Sequence, residues 1–310
     1  MTGIGMVTPL GATAGETAEA WRSGRSAPSR TPVELAGTAL EKAEVAPAAK
    51  FDAAARLGGR RMLKFMSHAA VLGCVAAREA AEDAGLKDRF APGDVGLYAG
   101  TGLAAASVEE VLPMLRESID EDGRFSCRLL GARGLAATNP LLSFRILANM
   151  PPCLVSILEA VKGPNLIFTP WEGQTAAALI EGWRAVADGE VPCALAGAAD
   201  NAAHPATVVY LRQAGLLSDR ERAGSAAAYL VLERAETARR DGRRTYAEIV
   251  AMDVTNGDGS VDDPLAGHMG RTFAAAPAVL LALAAMSHER MVSMQGADHR
   301  RFRAELRAAS

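Results

Sequence analysis

The sequence predicts an α/β protein built from packed layers of helices and strands. Short apolar runs, such as "VGLYAG" from Val95, alternate with longer segments whose apolar residues recur at helical spacing. Such runs are typical of strands covered on both faces, and their alternation with helices is typical of layered α/β folds. With 310 residues, of which 49% are hydrophobic, the chain is long enough for one large domain or two fused halves.

The first third of the chain predicts two strands and two helices. "MTGIGMV" is the end of a strand that runs into a Gly/Pro turn, and a short helix follows and ends near Gly24. Residues 51–64 are predicted to form a polar loop. The segment "MSHAAVLGCVAAREAAEDA" has helical spacing, with Gly85 in the position that commonly stops a helix. The buried strand "VGLYAG" comes next.

The middle of the chain continues the alternation. "VEEVLPMLRESI" predicts a helix, and "NPLLSFRILANMPPCLVSILEAV" predicts a helix in two pieces broken at Pro151 and Pro152. "GPNLIFT" predicts a strand entered by a turn. "GQTAAALIEGWRAVADGE" predicts a helix that closes near Gly189, and "VPCALAGAAD" predicts another buried strand.

The last third predicts a shorter set of elements. The strand "AAYLVLE", the helix "AETARRDG" and the strand "TYAEIVAMDV" lead into a polar, Gly-rich connector, "TNGDGSVDDPLAGHMG". An apolar helix, "TFAAAPAVLLALAAM", and two terminal strands, "MVSMQ" and "FRAELR", complete the chain.

Composition excludes several classes of function. The formal net charge is −3 without a long run of one sign, which argues against a nucleic-acid-binding surface. Cys74, Cys127, Cys153 and Cys193 are scattered without metal-ligand spacing, so we expect no disulfide framework and no metal. No nucleotide motif is present, and we expect no cofactor. No apolar run is long enough for a membrane span, and a cytoplasmic location fits best.

Six segments in order resemble landmarks of the elongating β-ketoacyl-ACP synthases: "TGIGMVTPLG", "VGLYAGTG", "NPLLSFRILANM", "GPN", "ADGEVPCALAGAAD" and "AYLVLERAETARRDGRRTYAEIV". The resemblance covers Met1 to about Val250 and resumes weakly from Gly270. It implies a thiolase-like αβαβα fold of two similar halves that dimerises through the N-terminal half. We assign residues 1–240 to the N-terminal half and 241–310 to a truncated C-terminal half.

The catalytic positions of that family are altered in this chain. The active members use a cysteine nucleophile at a helix N-terminus and two histidines. Glu172 occupies the nucleophile position in an ungapped register between "GPN" and "ADGEVPCALAGAAD", although a two-residue insertion would place Gln174 there. The segment that carries one histidine is absent, and Arg271 occupies the position of the other. We therefore predict no catalytic residue in this chain, and an ion pair between Glu172 and Arg271.

The resemblance implies a chain length factor: a silent subunit that forms a heterodimer with an active ketosynthase, shapes the acyl tunnel and receives an acyl carrier protein, in polyketide (polyene) or fatty acid biosynthesis. Trp171 and Gln174 are candidate tunnel or interface residues, and Arg239, Arg240, Arg243 and Arg244 are candidate contacts for the carrier protein. The alternatives are a malonyl-ACP decarboxylase-like relative and an acyl-binding homodimeric scaffold. We also expect the truncation to uncover apolar surface.

Overall fold

The computed structural model describes residues 1–103 and 106–308. The strands are β1 (Gly3–Val7), β2 (Val45–Ala46), β3 (Val95–Thr101), β4 (Asn165–Phe168), β5 (Cys193–Asn201), β6 (Ala223–Glu233), β7 (Ala247–Asn256), β8 (Met291–Gln295) and β9 (Arg300–Ala308). The helices are α1 (Ala14–Arg22), α2 (Ala53–Arg56), α3 (His68–Ala84), α4 (Leu86–Arg89), α5 (Val108–Glu117), α6 (Cys127–Leu129), α7 (Leu142–Ile146), α8 (Met150–Glu159), α9 (Glu172–Ala187), α10 (Pro205–Gln213), α11 (Ala235–Arg240), α12 (Ala266–Met269) and α13 (Ala276–Ser287).

The strands form two sheets with a shared topology. The larger sheet has the order β1-β6-β5-β3-β4, with β2 beside β6, and the smaller sheet has the order β7-β9-β8. In the larger sheet β6 pairs antiparallel with β1 and β5 and, over two residues, parallel with β2. In the smaller sheet the central strand β9 pairs antiparallel with both neighbours. The smaller sheet therefore repeats the β1-β6-β5 part of the larger one, without counterparts of the parallel strands β3 and β4.

Helices α9 and α13 lie between the two sheets, and α3 and α8 cover the opposite side of the larger sheet. Helix α13 is buried along almost its whole length because sheets flank it on both sides, which explains why its sequence is apolar all round. Ser67 caps the start of α3, and Gly85 ends that helix with a left-handed backbone. The layered fold with a shortened C-terminal half is thus confirmed. The predicted boundary at 240/241 stays a prediction, and it falls between β6 and β7.

Two local predictions were wrong. Pro151 and Pro152 do not break the helical segment; they lie in the first turn of α8, where a missing N–H costs no helical hydrogen bond, and the break precedes Met150. Residues 51–64 are not entirely loop, since Asp52 caps the single helical turn of α2.

The expectation that the truncation uncovers apolar surface was wrong for the smaller sheet. Its inner face carries Phe302, Ala304 and Leu306, all buried, while the alternate residues of β9 are charged. Arg303 and Arg307 lie opposite Asp253 and Glu248 of β7 on the face open to solvent. Cross-strand charges of opposite sign make this face compatible with water without a covering layer of helices.

Replacing Tyr229 with phenylalanine is expected to raise the free energy of unfolding by about 1 kcal/mol. The Tyr229 ring is completely buried between α3 and the sheet, and its hydroxyl has no hydrogen-bond partner among the described residues. Urea unfolding measures the change. Tyr210→Phe, on an exposed side chain of α10, is the control and should change little. An unchanged or lower stability of Tyr229→Phe would mean that the hydroxyl has a partner.

Candidate functional site

Glu172 is the first residue of α9, at the point where the chain leaves β4 and turns into the central helix layer. The helix packs closely on the larger sheet, because Gly182 faces Tyr98 and Ala196 where a side chain would clash. This packing holds the helix N-terminus, with its partial positive charge, inside the protein. The Glu172 side chain is only 2% exposed.

Arg271 reaches the same place from the other half of the chain. Its backbone forms a short parallel bridge with the start of β6: the Arg271 N–H donates to the Arg222 carbonyl, and the Gly224 N–H donates to the Arg271 carbonyl, each at 2.8 Å. The Arg271 side chain, 2% exposed, lies over the ring of Phe273 at 4.4 Å from its centroid. Burial of a guanidinium requires charged or polar partners, and they are present.

The predicted ion pair between Glu172 and Arg271 is confirmed. Arg271 Nη2 donates to Glu172 Oε1 at 3.2 Å. Nη1 donates to the Leu216 carbonyl at 2.7 Å and lies 3.5 Å from Glu221 Oε1. Burial raises the pKa of Glu172, and the positive charge of Arg271 partly opposes that rise.

Two further buried carboxyl groups, not singled out from the sequence, influence this pair. Asp200 ends the apolar run "AGAAD", and one of its oxygens accepts from the Ala274 N–H at 3.1 Å while the other has no partner. Part of Asp263 reaches the surface, but its Oδ2 is buried and also unpartnered. Burial raises the pKa of Asp200 well above its usual range and that of Asp263 to about 7. In the sequence, the signal that could have identified Asp200 is an acidic residue at the end of an otherwise uncharged strand.

The raised pKa values predict that stability falls as pH rises from about 4 to about 7. In that window the Asp200 and Asp263 carboxyl groups lose their protons in the unfolded chain but keep them in the folded chain. Each rise in pH therefore favours unfolding. We expect a lower urea midpoint at pH 8 than at pH 5, and a smaller difference in Asp263→Asn. Asp88→Asn, at an exposed side chain of α4, serves as the control. A pH dependence that Asp263→Asn leaves unchanged would remove Asp263 as its source.

The two candidate tunnel residues flank Glu172. Trp171 is partly buried and packs with Phe273, with ring centroids 6.5 Å apart, in a small apolar cluster. Gln174 is partly buried, and its Oε1 has no partner among the described residues. The four candidate carrier-protein arginines lie at and after α11, and three of them pair with acids: Arg239 with Glu248, Arg240 with Asp241 and Arg244 with Asp83.

Two open spaces lie away from the Glu172–Arg271 pair. A groove of about 860 Å³ runs beside Met1, Trp183 and Ile249 and contains none of the four residues singled out from the sequence as altered catalytic positions or tunnel candidates. A crevice of about 20 Å³ near Gly102 and Asn201 has room for about one water molecule. Among residues 1–103 and 106–308, no cluster of three His, Cys, Asp or Glu side chains has metal-binding geometry. No helix in that part of the chain is long and apolar enough to cross a membrane.

Exposed apolar side chains concentrate between Val108 and Leu166. Of the fourteen large hydrophobic side chains that are exposed in the described ranges, ten lie in this segment. They are Val108, Leu115, Ile119, Phe125, Leu135, Phe144, Ile146, Leu147, Ile157 and Leu166. The segment ends in β4, the edge strand of the larger sheet. We call these ten residues the 108–166 surface; its apolar character and open strand edge are typical of a protein interface.

Sequence comparison matches residues 1–237 to the family described as beta-ketoacyl synthase, N-terminal domain. The oxytetracycline polyketide beta-ketoacyl synthase 1 of Streptomyces rimosus is 27% identical over 266 residues, which are 80% of this chain and 60% of that protein. The chain therefore spans less than two thirds of that relative's length.

Two solved structures share the fold over the whole chain. One is AntDE:AntF, a type II PKS acyl-carrier protein in complex with its ketosynthase bound to the hexaketide, with a TM-score of 0.77 and 15% identity over 99% of this chain and 98% of that one. The other is the ishigamide ketosynthase/chain length factor, with a TM-score of 0.77 and 16% identity over 100% and 98%. At such identities the likeness shows the thiolase-like fold alone.

Proposed function

The chain belongs to the beta-ketoacyl synthase family, and we propose that it is a non-catalytic subunit of the chain-length-factor kind. One observation carries the proposal. The tip of α9, where active members hold a nucleophilic cysteine, holds Glu172, which is buried and paired with Arg271. A carboxylate cannot form the thioester through which a ketosynthase passes its acyl chain.

The partner proposed for this chain is an active ketosynthase, with an acyl carrier protein as the third participant. The 108–166 surface supports the first contact, since it combines exposed apolar side chains with Leu166 on an edge strand. The named components of the two similar structures, a carrier protein with its ketosynthase and a ketosynthase with a chain length factor, favour the same assembly. Polyketide (polyene) or fatty acid biosynthesis in the cytoplasm is the proposed setting, with Trp171 and Gln174 as tunnel or interface residues.

Acyl labelling tests the proposal directly. The chain is co-expressed with an active ketosynthase of its source organism and supplied with acyl carrier protein that bears a labelled acyl group. We expect intact-mass analysis to find the label on the ketosynthase only. Glu172→Cys should not acquire the label, because the site lacks the two histidines and keeps Arg271. Covalent acylation of the wild-type chain would overturn the proposal.

The two alternative functions predict different results. A malonyl-ACP decarboxylase-like protein would release carbon dioxide from malonyl carrier protein without any partner, whereas the burial of Glu172 argues against substrate contact. An acyl-binding homodimeric scaffold would show twice its own mass on native mass spectrometry and would not take up a ketosynthase when the two are mixed.

A further inference from the structure

The Glu172 carboxylate lies at a helix N-terminus beside the Arg271 guanidinium. Arg271 Nη2 donates to Oε1 at 3.2 Å, while Oε2 is buried and has no hydrogen-bond partner among the described residues. All of this takes place at the N-terminus of a 16-residue helix, whose dipole attracts negative charge. We call the Arg271 guanidinium and the N-terminus of α9 the anion cradle.

The loop that closes over the cradle rests directly on the Glu172 side chain. A Cβ added at Gly296 would lie 2.6 Å from Glu172 Cβ and 3.0 Å from its Cδ, so only glycine fits there. The same loop is tied to the helix by Asp298, whose Oδ2 accepts from the Gly173 N–H at 3.0 Å. The carboxylate is thus enclosed by the helix tip, Arg271 and the loop.

We infer that Glu172 is the built-in ligand of an anion site, and that the cradle binds a small free carboxylate once this side chain is shortened. In the wild-type chain the site binds the protein's own Glu172 carboxylate, which keeps the loop at Gly296 packed against the helix. This inference goes beyond the proposed function, because the cradle is present whether or not the chain pairs with a ketosynthase.

The dimensions of the site specify the ligand. Replacing Glu172 with alanine removes one methylene and one carboxylate, which together have the size of acetate. Arg271 then remains buried without its closest acid, and its Nε has no partner among the described residues. Its remaining acidic contact is Glu221, at 3.5 Å from Nη1. A buried cation that has lost its more buried acidic partner favours uptake of an anion. Formate and acetate should fit, whereas the branched trimethylacetate should not.

The test compares the thermal unfolding of Glu172→Ala in sodium acetate and in sodium chloride of equal ionic strength at pH 6. Acetate should raise the midpoint in a saturable way, by about 2–4 °C at ten times its dissociation constant. Wild type and Glu172→Gln should not respond, because their own side chains fill the cradle. Adding Asp200→Asn to Glu172→Ala tests whether Asp200 replaces Glu172 as the acid paired with Arg271. If Asp200 does not, the acetate response stays the same in the double variant.

Adding Arg271→Met to Glu172→Ala should abolish the acetate effect while leaving the chloride effect. If Glu172→Ala is insoluble, the same comparison uses the soluble yield of cells grown with acetate or chloride. Equal effects of acetate and chloride, an equal effect of trimethylacetate, or no effect on midpoint or yield would each overturn the inference. The acyl-labelling outcome is independent of all of these results.

Discussion

Replacing Arg271 with methionine is expected to lower the free energy of unfolding by about 3–5 kcal/mol. Methionine retains much of the side-chain length but removes the positive charge that is paired with Glu172. Glu172 would then be a buried carboxyl group beside Asp200 with no cation to balance it, and either protonation or unfolding must follow. The Leu216 carbonyl would also lose its donor.

A double variant separates a lost charge from lost packing. Replacing both partners, in Glu172→Leu with Arg271→Met, should recover most of the loss, because a buried ion pair exchanged for apolar groups of similar volume is often neutral. Arg303→Met, on the solvent-exposed face of β9, is the control for a change from arginine to methionine. Urea unfolding, followed by one probe of secondary structure and one of tertiary structure, gives the free energies of unfolding. A loss below about 1 kcal/mol in Arg271→Met would show that the pair does not stabilise the fold.

Introducing two acids into the 108–166 surface is expected to weaken association with the proposed ketosynthase partner at least tenfold, about 1.4 kcal/mol or more. The variant is Ile157→Glu with Leu166→Glu, at side chains that are 63% and 46% exposed. Ile157 lies on α8, and Leu166 lies on the edge strand β4. A charge buried in an apolar interface without a partner opposes association, and charge on an edge strand discourages pairing.

The matched control for this surface is Val33→Glu. Val33 is an apolar side chain that is 83% exposed, and it lies outside the 108–166 surface. Tandem affinity purification of the co-expressed pair, followed by sedimentation velocity, measures the association. Equal loss in Val33→Glu and in the double variant would indicate a general effect of charge. Full retention of the partner in the double variant would place the interface elsewhere on the molecule.

The element types could be read from the sequence because local patterns determine them. Gly85 and Gly189 follow helices with positive φ, as their positions predict, and the apolar runs at Val95 and Cys193 became central strands. The predicted helix break at Pro151 and Pro152 was wrong, because proline can either end one helix or begin the next. Only the hydrogen bonding of the preceding residues distinguishes these cases.

The sequence by itself determined the family resemblance and the acid at the tip of α9, since these follow from residue identity and register. The pairing of that acid with Arg271 was predicted from the geometry that the family resemblance implies. The three-dimensional structure alone decided that Asp200 and Asp263 share the surroundings of that pair and that the open face of the smaller sheet is charged. It also decided that the loop at Gly296 encloses Glu172. The reason is physical: burial and electrostatic coupling depend on distances between residues far apart in the chain, which local patterns do not encode.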